Sequence, residues 1–380
     1  MRLELTNEQL TVKKKAREYV DTHILPYAEE FDRNQEIPKN VIRSLAEKGY
    51  LTPMVPKAMG GLGLDLISIG CLNEEIGKGC SSIRSLMTVH GMVTLAVMKW
   101  GTEEQKQYWI PQLVSGRKIA SFCLSEASAG SDIKSIETKA TISDAGSIII
   151  SGRKKWITFG QIADIFLVFA QCDNGSVAVL VERDTPGLSV KPIRDILGVR
   201  GSMIAEVHMN ECKVPKENII GGMGMGLSSV AVNCLEYGRY TVAWGCVGSA
   251  QACLDSSVNY TKHRKQFDSF LKDNQLIQKI ITNMVVNVKA SRMLCLNAGY
   301  LKESGDPKAI METWIAKYFS ARTLSSVSSD AIQIHGANGI ISDNAVQRHY
   351  RDSKIMEIIE GTTQMHEIQI GSNAHRIFTE

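Results

Sequence analysis

Long apolar runs are what this 380-residue sequence most plainly lacks. Its hydrophobic stretches are short or broken by polar residues, too short for a membrane-spanning helix. Met1-Arg2-Leu3-Glu4-Leu5 has neither the basic start nor the apolar stretch of a secretory leader, so a cytoplasmic location is expected. An excess of one charge sign is missing as well. A formal net charge of +3 leaves no electrostatic footprint for nucleic acid, and Lys13-Lys14-Lys15 with Arg17 reads as a solvated helix face. Nine cysteines are scattered without a Cys-x-x-Cys and without nearby paired histidines. They read as small buried hydrophobes in a reducing compartment, not as metal ligands or a disulfide frame. Internal repeats and low-complexity tracts are not evident. What remains, 44% apolar and 22% charged residues, describes a globular chain long enough for two or three domains.

Three regions follow from the patterning. Residues 1–115 read as helices: Leu10, Ala16, Val20 and Ile24 form a rough helical stripe, Pro38 opens a second helix ending at Gly49, and 66–100 carries apolar residues at mixed spacings of three and four. Gly60-Gly61-Leu62-Gly63-Leu64 reads as a tight turn, because no strand clearly precedes it. Residues 116–222 change character, with short β-branched runs at 147–152, 165–171, 176–182, 188–192 and 206–210 bounded by Gly, Asp, Asn and Pro. After the alternating glycines of 221–226, which lack the spacing of a dinucleotide fingerprint and read as a domain joint, 223–380 is helical. Its spans of 227–263, 274–304 and 307–335 have the length of bundle helices joined by short loops.

Two features carry chemistry. Ile358-Ile359-Glu360-Gly361-Thr362-Thr363-Gln364 puts a carboxylate behind two β-branched apolar residues, where desolvation raises its pKa and lets it act as a base near neutral pH. The competing reading is a helix end with a solvated acid. The loops 124–132 and 155–160 offer hydroxyls, bare amides and Trp156, groups able to hold a planar heterocycle by its edge and face. Plain turn chemistry is the alternative there.

Five stretches in order, Leu124-Ser125-Glu126-Ala127-Ser128-Ala129-Gly130-Ser131-Asp132, Lys155-Trp156-Ile157-Thr158, Arg264-Lys265-Gln266-Phe267, Gln333-Ile334-His335-Gly336-Ala337-Asn338-Gly339 and 351–362 around Ile359-Glu360-Gly361-Thr362, resemble the acyl-CoA dehydrogenase flavoproteins over essentially the whole chain. The resemblance implies a mainly α fold with an inserted β domain: an N-terminal helical domain (1–115), a middle β-barrel-like domain (116–222) and a C-terminal four-helix bundle (223–380). It also implies FAD shared between two subunits of a homodimer or homotetramer. Phe122, Leu124, Ser125, Trp156 and Thr158 would face the flavin, with Gly130 and Ser131 at the cofactor and thioester arm and Thr362 and Gln364 also touching FAD. Arg264 and Phe267, with Gln333, Gly336 and Ala337 nearby, would meet the adenine and pyrophosphate end from the neighbouring subunit. A guanidinium forks two donors onto phosphate oxygens, although Arg264 could instead complement its helix dipole. The first motif reads Ser125-Glu126-Ala127-Ser128 where the family often has Thr-Glu-Pro-Gly, and Asp268 stands where a Gly is usual; both put the local loop geometry in doubt.

By the same resemblance Glu360 is the catalytic base of an α,β-dehydrogenation of an acyl thioester, on CoA or on an acyl carrier protein, with electrons leaving to an electron-transfer flavoprotein. The stretch 80–90 resembles the part of glutaryl-CoA dehydrogenases whose Arg binds a distal carboxylate, which makes Arg84 a substrate residue; its alternative is a core-edge Arg paired with a carboxylate such as Glu74 or Glu75. Arg239 falls near the thioester arm, and Trp244 with Ser81, Ser82 and Thr88 would suit a short polar acyl group. The stretches 80–90 and 236–245 also look like acyl-carrier-protein dehydrogenases of polyketide and hybrid peptide pathways, and Ile359, in place of the Tyr of glutaryl enzymes, favours a small polar acyl group for hydroxymalonyl- or aminomalonyl-type extender units. The alternatives are a glutaryl-CoA-like or short-chain acyl-CoA dehydrogenase, an oxygen-using oxidase or monooxygenase of the same fold, and a non-catalytic carrier-binding protein.

Overall fold

The structure, a computed structural model, describes residues 4–143, 146–173 and 175–378. Helices α1 (Asn7–His23), α2 (Ala28–Asn34), α3 (Lys39–Glu47), α4 (Leu66–Gly79), α5 (Ser81–Trp100) and α6 (Glu103–Val114) come first. Thr6 with Gln9 and Thr102 with Gln105 close capping boxes at the starts of α1 and α6, satisfying amides the first turn leaves free. The stretch 66–100 forms two helices, because Cys80 is extended (φ −158°, ψ 114°) and breaks the spiral. After that break α5 is buried on nearly every side, polar residues included.

Strands β1 (Ala120–Cys123), β2 (Lys139–Ile142), β3 (Ser147–Ile157), β4 (Ile165–Cys172), β5 (Gly175–Glu182), β6 (Leu188–Pro192), β7 (Ala205–Pro215) and β8 (Ile219–Ile220) form one sheet in the order β6-β7-β3-β2-β4-β5-β8, with β1 parallel to β4. Side chains of β4 alternate between two cores, as a period of two requires. Leu167 and Phe169 pack with Val93, Val97, Trp109 and Ile110 of α5 and α6, while Phe166 and Val168 pack with Ile148, Ile150 and Val207 inside the sheet domain. The helical core thereby grips the sheet. His90 completes the joint: its Nδ1 accepts from the Ala120 amide at 3.1 Å and its Nε2 donates to the Leu113 carbonyl at 3.1 Å. Burial pushes this imidazole down to about 4, so it stays neutral and keeps one donor and one acceptor.

The glycine run 221–226 leads through a turn of π-helix (Gly226–Ala231) into α7 (Val232–His263). A short hairpin of β9 (Lys265–Gln266) and β10 (Ser269–Phe270) precedes α8 (Gln275–Glu303) and α9 (Ala309–His335); α10 (Ala345–Ile358) and α11 (Thr363–Phe378) close the described chain. Val242, Cys246 and Ala250 of α7 pack with Val288 of α8 and Leu324 and Val327 of α9, and α7 also lies against α4 and α5. It therefore spans the interface between the two helical regions, and its first turns border the site. No described helix is long and apolar enough to cross a membrane.

Candidate active site

The chain reverses between α10 and α11. Ile359 is extended, Glu360 has φ +55° and Gly361 has φ +96°. A positive φ is sterically costly for a residue with a Cβ, so the Glu360 backbone is held there by its surroundings. Arg239 Nε donates to the Glu360 carbonyl at 3.2 Å, and Lys317 Nζ donates to the Gly361 carbonyl at 2.7 Å. Arg239 is itself fixed: Nη1 meets Glu236 at 2.5 Å, and its guanidinium stacks 4.3 Å from the Trp314 ring centroid, while the Trp314 indole donates to Glu236 at 2.7 Å.

The turn throws the Glu360 carboxylate against α7 at Gly238. A Cβ on Gly238 would fall 2.6 Å from Glu360 Cδ and 2.9 Å from Oε1, closer than real Cβ contacts come. Only glycine leaves the carboxylate this position. Oε2 is buried without a hydrogen-bond partner among the described residues. Desolvation is the main influence and pushes the group up to about 7, against the opposing pull of Arg239, Lys317 and Arg84.

Arg84, 1% exposed, shares the cavity with Glu360. Its Nη1 donates to Thr88 Oγ1 at 2.9 Å, and its Nη2 donates to Ser85 Oγ at 2.8 Å and lies 3.5 Å from Met356 Sδ. Gly245 makes room for its stem, since a Cβ there would come 2.5 Å from Arg84 Cδ. The alternative of a structural pair with Glu74 or Glu75 fails. Glu74 is taken by Lys13 (2.8 Å) and Arg292 (2.9 Å), and Glu75 by Arg17 (2.9 Å). Among the described residues no carboxylate lies within 4 Å of the Arg84 guanidinium nitrogens.

The cavity holds about 700 Å³ and brings together Arg84, Phe122, Leu124, Ser125, Gly130, Ser131, Trp156, Thr158, Arg239, Glu360 and Thr362. Thr88 also lines it; Ser81 and Ser82 do not. Trp244 is not brought there: it is buried with Ile67, Cys71 and Tyr240 in a separate core, because it sits five residues past Arg239, roughly 140° around the helix. Gln364 is exposed outside the cavity wall. Arg264 and Phe267 lie at the far end of α7, roughly 37 Å along the helix from Arg239, with Phe267 99% exposed. Gln333, Gly336 and Ala337, also exposed, sit at that same end, where Tyr260 stacks on His335 at 4.5 Å. One chain does not carry these residues to the cavity.

Sequence reasoning missed Gly238, Gly245, Lys317, Trp314 and His366. It also left the loop around Glu126 in doubt. Glu126 anchors that loop by accepting from the Glu137 and Thr138 amides at 2.6 and 3.0 Å and pairing with the fully buried Lys154 at 2.7 Å; Lys154 also holds the Leu124 carbonyl at 3.0 Å.

A sheet domain clasped between helical regions, with a desolvated carboxylate at a cavity rimmed by small polar loop residues and aromatic side chains, is the architecture of a cofactor-dependent enzyme. The comparisons with known proteins make this specific. Family models for the acyl-CoA dehydrogenase N-terminal, middle and C-terminal domains match residues 6–117, 121–212 and 224–375, and the chain belongs to the acyl-CoA dehydrogenase family. It is 34% identical to the mitochondrial short-chain specific acyl-CoA dehydrogenase of Homo sapiens, over 99% of this chain and 92% of that protein. A glutaryl-CoA dehydrogenase from Mycobacterium smegmatis in complex with FADH2 superposes with a TM-score of 0.93 at 28% identity, covering 99% of this chain and 96% of that one. FkbI, described as serving biosynthesis of the methoxymalonyl extender unit of the polyketide Fk520, superposes at 0.87 with 30% identity, covering 96% and 99%. The chain is thus an oxidoreductase acting on the CH–CH bond of acyl thioesters, and its family uses FAD. The cavity fits that cofactor: among the described residues a Cβ on Gly130 would meet nothing within 4 Å, and the hydroxyl residues Ser125, Ser131, Thr158 and Thr362 line it together with the aromatic Phe122 and Trp156.

Proposed function

We propose that Glu360 takes the α-proton of a small acyl thioester whose far end is anionic or strongly polar, and that Arg84 receives that end. The buried guanidinium of Arg84 carries this reading. It shares a cavity with the base and, among the described residues, its hydrogen-bond partners there are hydroxyls and a thioether. A charge buried without a counter-ion is costly, and an anionic substrate group would supply one, with two donors matching a carboxylate.

Within this reading, Phe122, Leu124, Ser125, Gly130, Ser131, Trp156, Thr158 and Thr362 hold the flavin. Bound FAD supplies the acceptor for the hydride lost from the β-carbon. Glu360 needs to be ionised to accept the α-proton, and its surroundings put that change near neutral pH. The Glu360 amide makes no main-chain hydrogen bond among the described residues and is free to donate to the thioester carbonyl oxygen, where enolate charge develops. Arg239 fixes the turn that aims both groups.

For the acyl carrier, likeness to FkbI supports a carrier-protein thioester in extender-unit biosynthesis, while likeness to glutaryl-CoA dehydrogenase supports a CoA thioester with a terminal carboxylate. Both put a polar end on the acyl group; the carrier-protein reading is the one proposed. Electrons would leave to an electron-transfer flavoprotein. Arg264, Phe267, Gln333, Gly336 and Ala337, exposed at the far end of α7, would meet the cofactor of a second copy in a homodimer or homotetramer. All nine cysteines are free and all but Cys172 buried, which supports the cytoplasm as location.

The test is anaerobic flavin bleaching by matched acyl-CoA and acyl-carrier-protein thioesters, acidic and neutral at equal length, in wild type and Arg84→Ala. The acidic thioester is expected to bleach wild type faster and to lose at least tenfold more than the neutral one in the variant. Equal losses would return Arg84 to a structural role.

A further inference from the structure

We propose that Lys317 is a positioning residue for Glu360, its ammonium clamping the turn that carries the base and setting the pH at which the base ionises. This inference rests on Glu360 being the base.

Lys317 is the ninth residue of α9, 1% exposed, and does not line the cavity. It donates to the Gly361 carbonyl at 2.7 Å, and among the described residues no carboxylate lies within salt-bridge distance of it. Burying an ammonium without a counter-ion is expensive, so a purely structural role is poorly served by lysine here. The turn explains the expense. Successive carbonyls, those of Glu360 and Gly361, are each held by a cation, Arg239 and Lys317, across two residues with positive φ. Among the described residues the buried Oε2 finds no hydrogen-bond partner that could anchor the side chain instead. The aim of the base therefore depends on its backbone.

The charge acts with the clamp. Glu360 is faced by Arg84 from α5, Glu236 and Arg239 from α7 and Lys317 from α9. Glu236 is occupied by Arg239 and by Lys302 of α8. Glu357 of α10 and Cys246 of α7 face Lys317 from its other sides. His366 of α11, with Nδ1 on the Thr362 carbonyl, is pushed down to about 4 by burial and by Lys317, and stays neutral. Burial pushes Lys317 itself down to about 8, so it remains charged where Glu360 titrates. A neighbouring cation favours the ionised carboxylate, so removing it moves the Glu360 midpoint upward.

The experiment uses FAD-loaded wild type, Lys317→Met and Lys317→Arg, with Glu360→Gln as reference. Two readouts are taken from pH 5 to 9: anaerobic flavin reduction by the thioester that bleaches wild type fastest, and the Glu360 carboxyl followed without substrate by infrared difference against Glu360→Gln. In Lys317→Met both midpoints are expected to rise by about one pH unit, slowing reduction at pH 6 roughly tenfold. Lys317→Arg should keep the wild-type midpoint. An unchanged midpoint in Lys317→Met overturns the inference. Should Lys317→Met fail to hold FAD, Lys317→Gln, neutral but with an amide donor, takes its place. Failure of Lys317→Arg as well would make the residue structural only. Glu360→Gln that still reduces flavin overturns the base assignment instead, and the infrared midpoint would still report on Lys317.

Discussion

Gly238→Ala separates stability from catalysis at a single methyl group. In most helix interiors this change is favourable, gaining up to about 1 kcal/mol of helix propensity. Here the added Cβ would sit 2.6 Å from Glu360 Cδ and 2.9 Å from Oε1, where contacts below 3.0 Å essentially never occur. Restoring an ordinary separation of about 3.5 Å moves the carboxylate by roughly 1 Å, and misplacement on that scale costs on the order of 10²-fold in rate. The turn behind Glu360 is pinned by Arg239 and Lys317, so the shift falls on the side chain and not on the backbone. Single-turnover flavin reduction in the absence of oxygen reads the rate; flavin content and thermal unfolding read the fold. The expected result is full FAD loading, a melting temperature at or above wild type and reduction about a hundredfold slower. Reduction within threefold of wild type would refute the placement of the carboxylate against α7.

Three further outcomes follow from the same geometry. Gly245→Ala pushes on Arg84 Cδ from 2.5 Å and should weaken an acidic thioester tenfold or more while leaving a neutral one of equal length within threefold, read as KM in the two titrations. Lys154→Met leaves Glu126 buried without its cation and frees the Leu124 carbonyl, so unfolding free energy should fall by about 3–5 kcal/mol and FAD should dissociate more readily, as followed by denaturant titration and flavin fluorescence. Glu360 is raised from 4.5 to about 7 in the folded protein, so the folded state holds its proton more tightly than the unfolded chain and stability is lost as pH rises through that window. Glu360→Gln escapes the loss and should be more stable than wild type by up to about 3 kcal/mol at pH 8, with little difference at pH 4, in pH-resolved unfolding.

The fold and the cavity wall were legible because their signals are local. Strands β3 to β7 announce themselves by β-branched runs between turn residues, and the loops around Ser125 and Trp156 by short polar motifs; all fall in the predicted order. The break at Cys80 was missed because apolar periodicity continues straight through it, and only the backbone shows two helices. Glu360 was visible as an acid after an apolar pair, yet its environment was not. Gly238 and Lys317 meet the turn at Glu360 from 122 and 43 positions away, and no spacing rule links them. Trp244 was placed in the substrate group by its size and by resemblance. The helical period decides otherwise, since Val232, Leu235, Glu236, Arg239 and Val242 share the face of α7 that lines the cavity and Trp244 points away from it. Arg84 stood out in sequence as a charge on an apolar helix, and only the structure shows that Glu74 and Glu75 are already paired with Lys13, Arg292 and Arg17 and are not its partners.

The central claim is that Glu360 is the base, and Glu360→Gln tests it most directly. FAD-loaded wild type and variant are mixed with the best acyl thioester without oxygen while the flavin absorbance is followed as a function of pH. The prediction is bleaching of wild type that speeds up through about pH 7, with the variant retaining its yellow flavin and binding the thioester but failing to bleach. Bleaching of the variant at a rate near wild type would contradict the account.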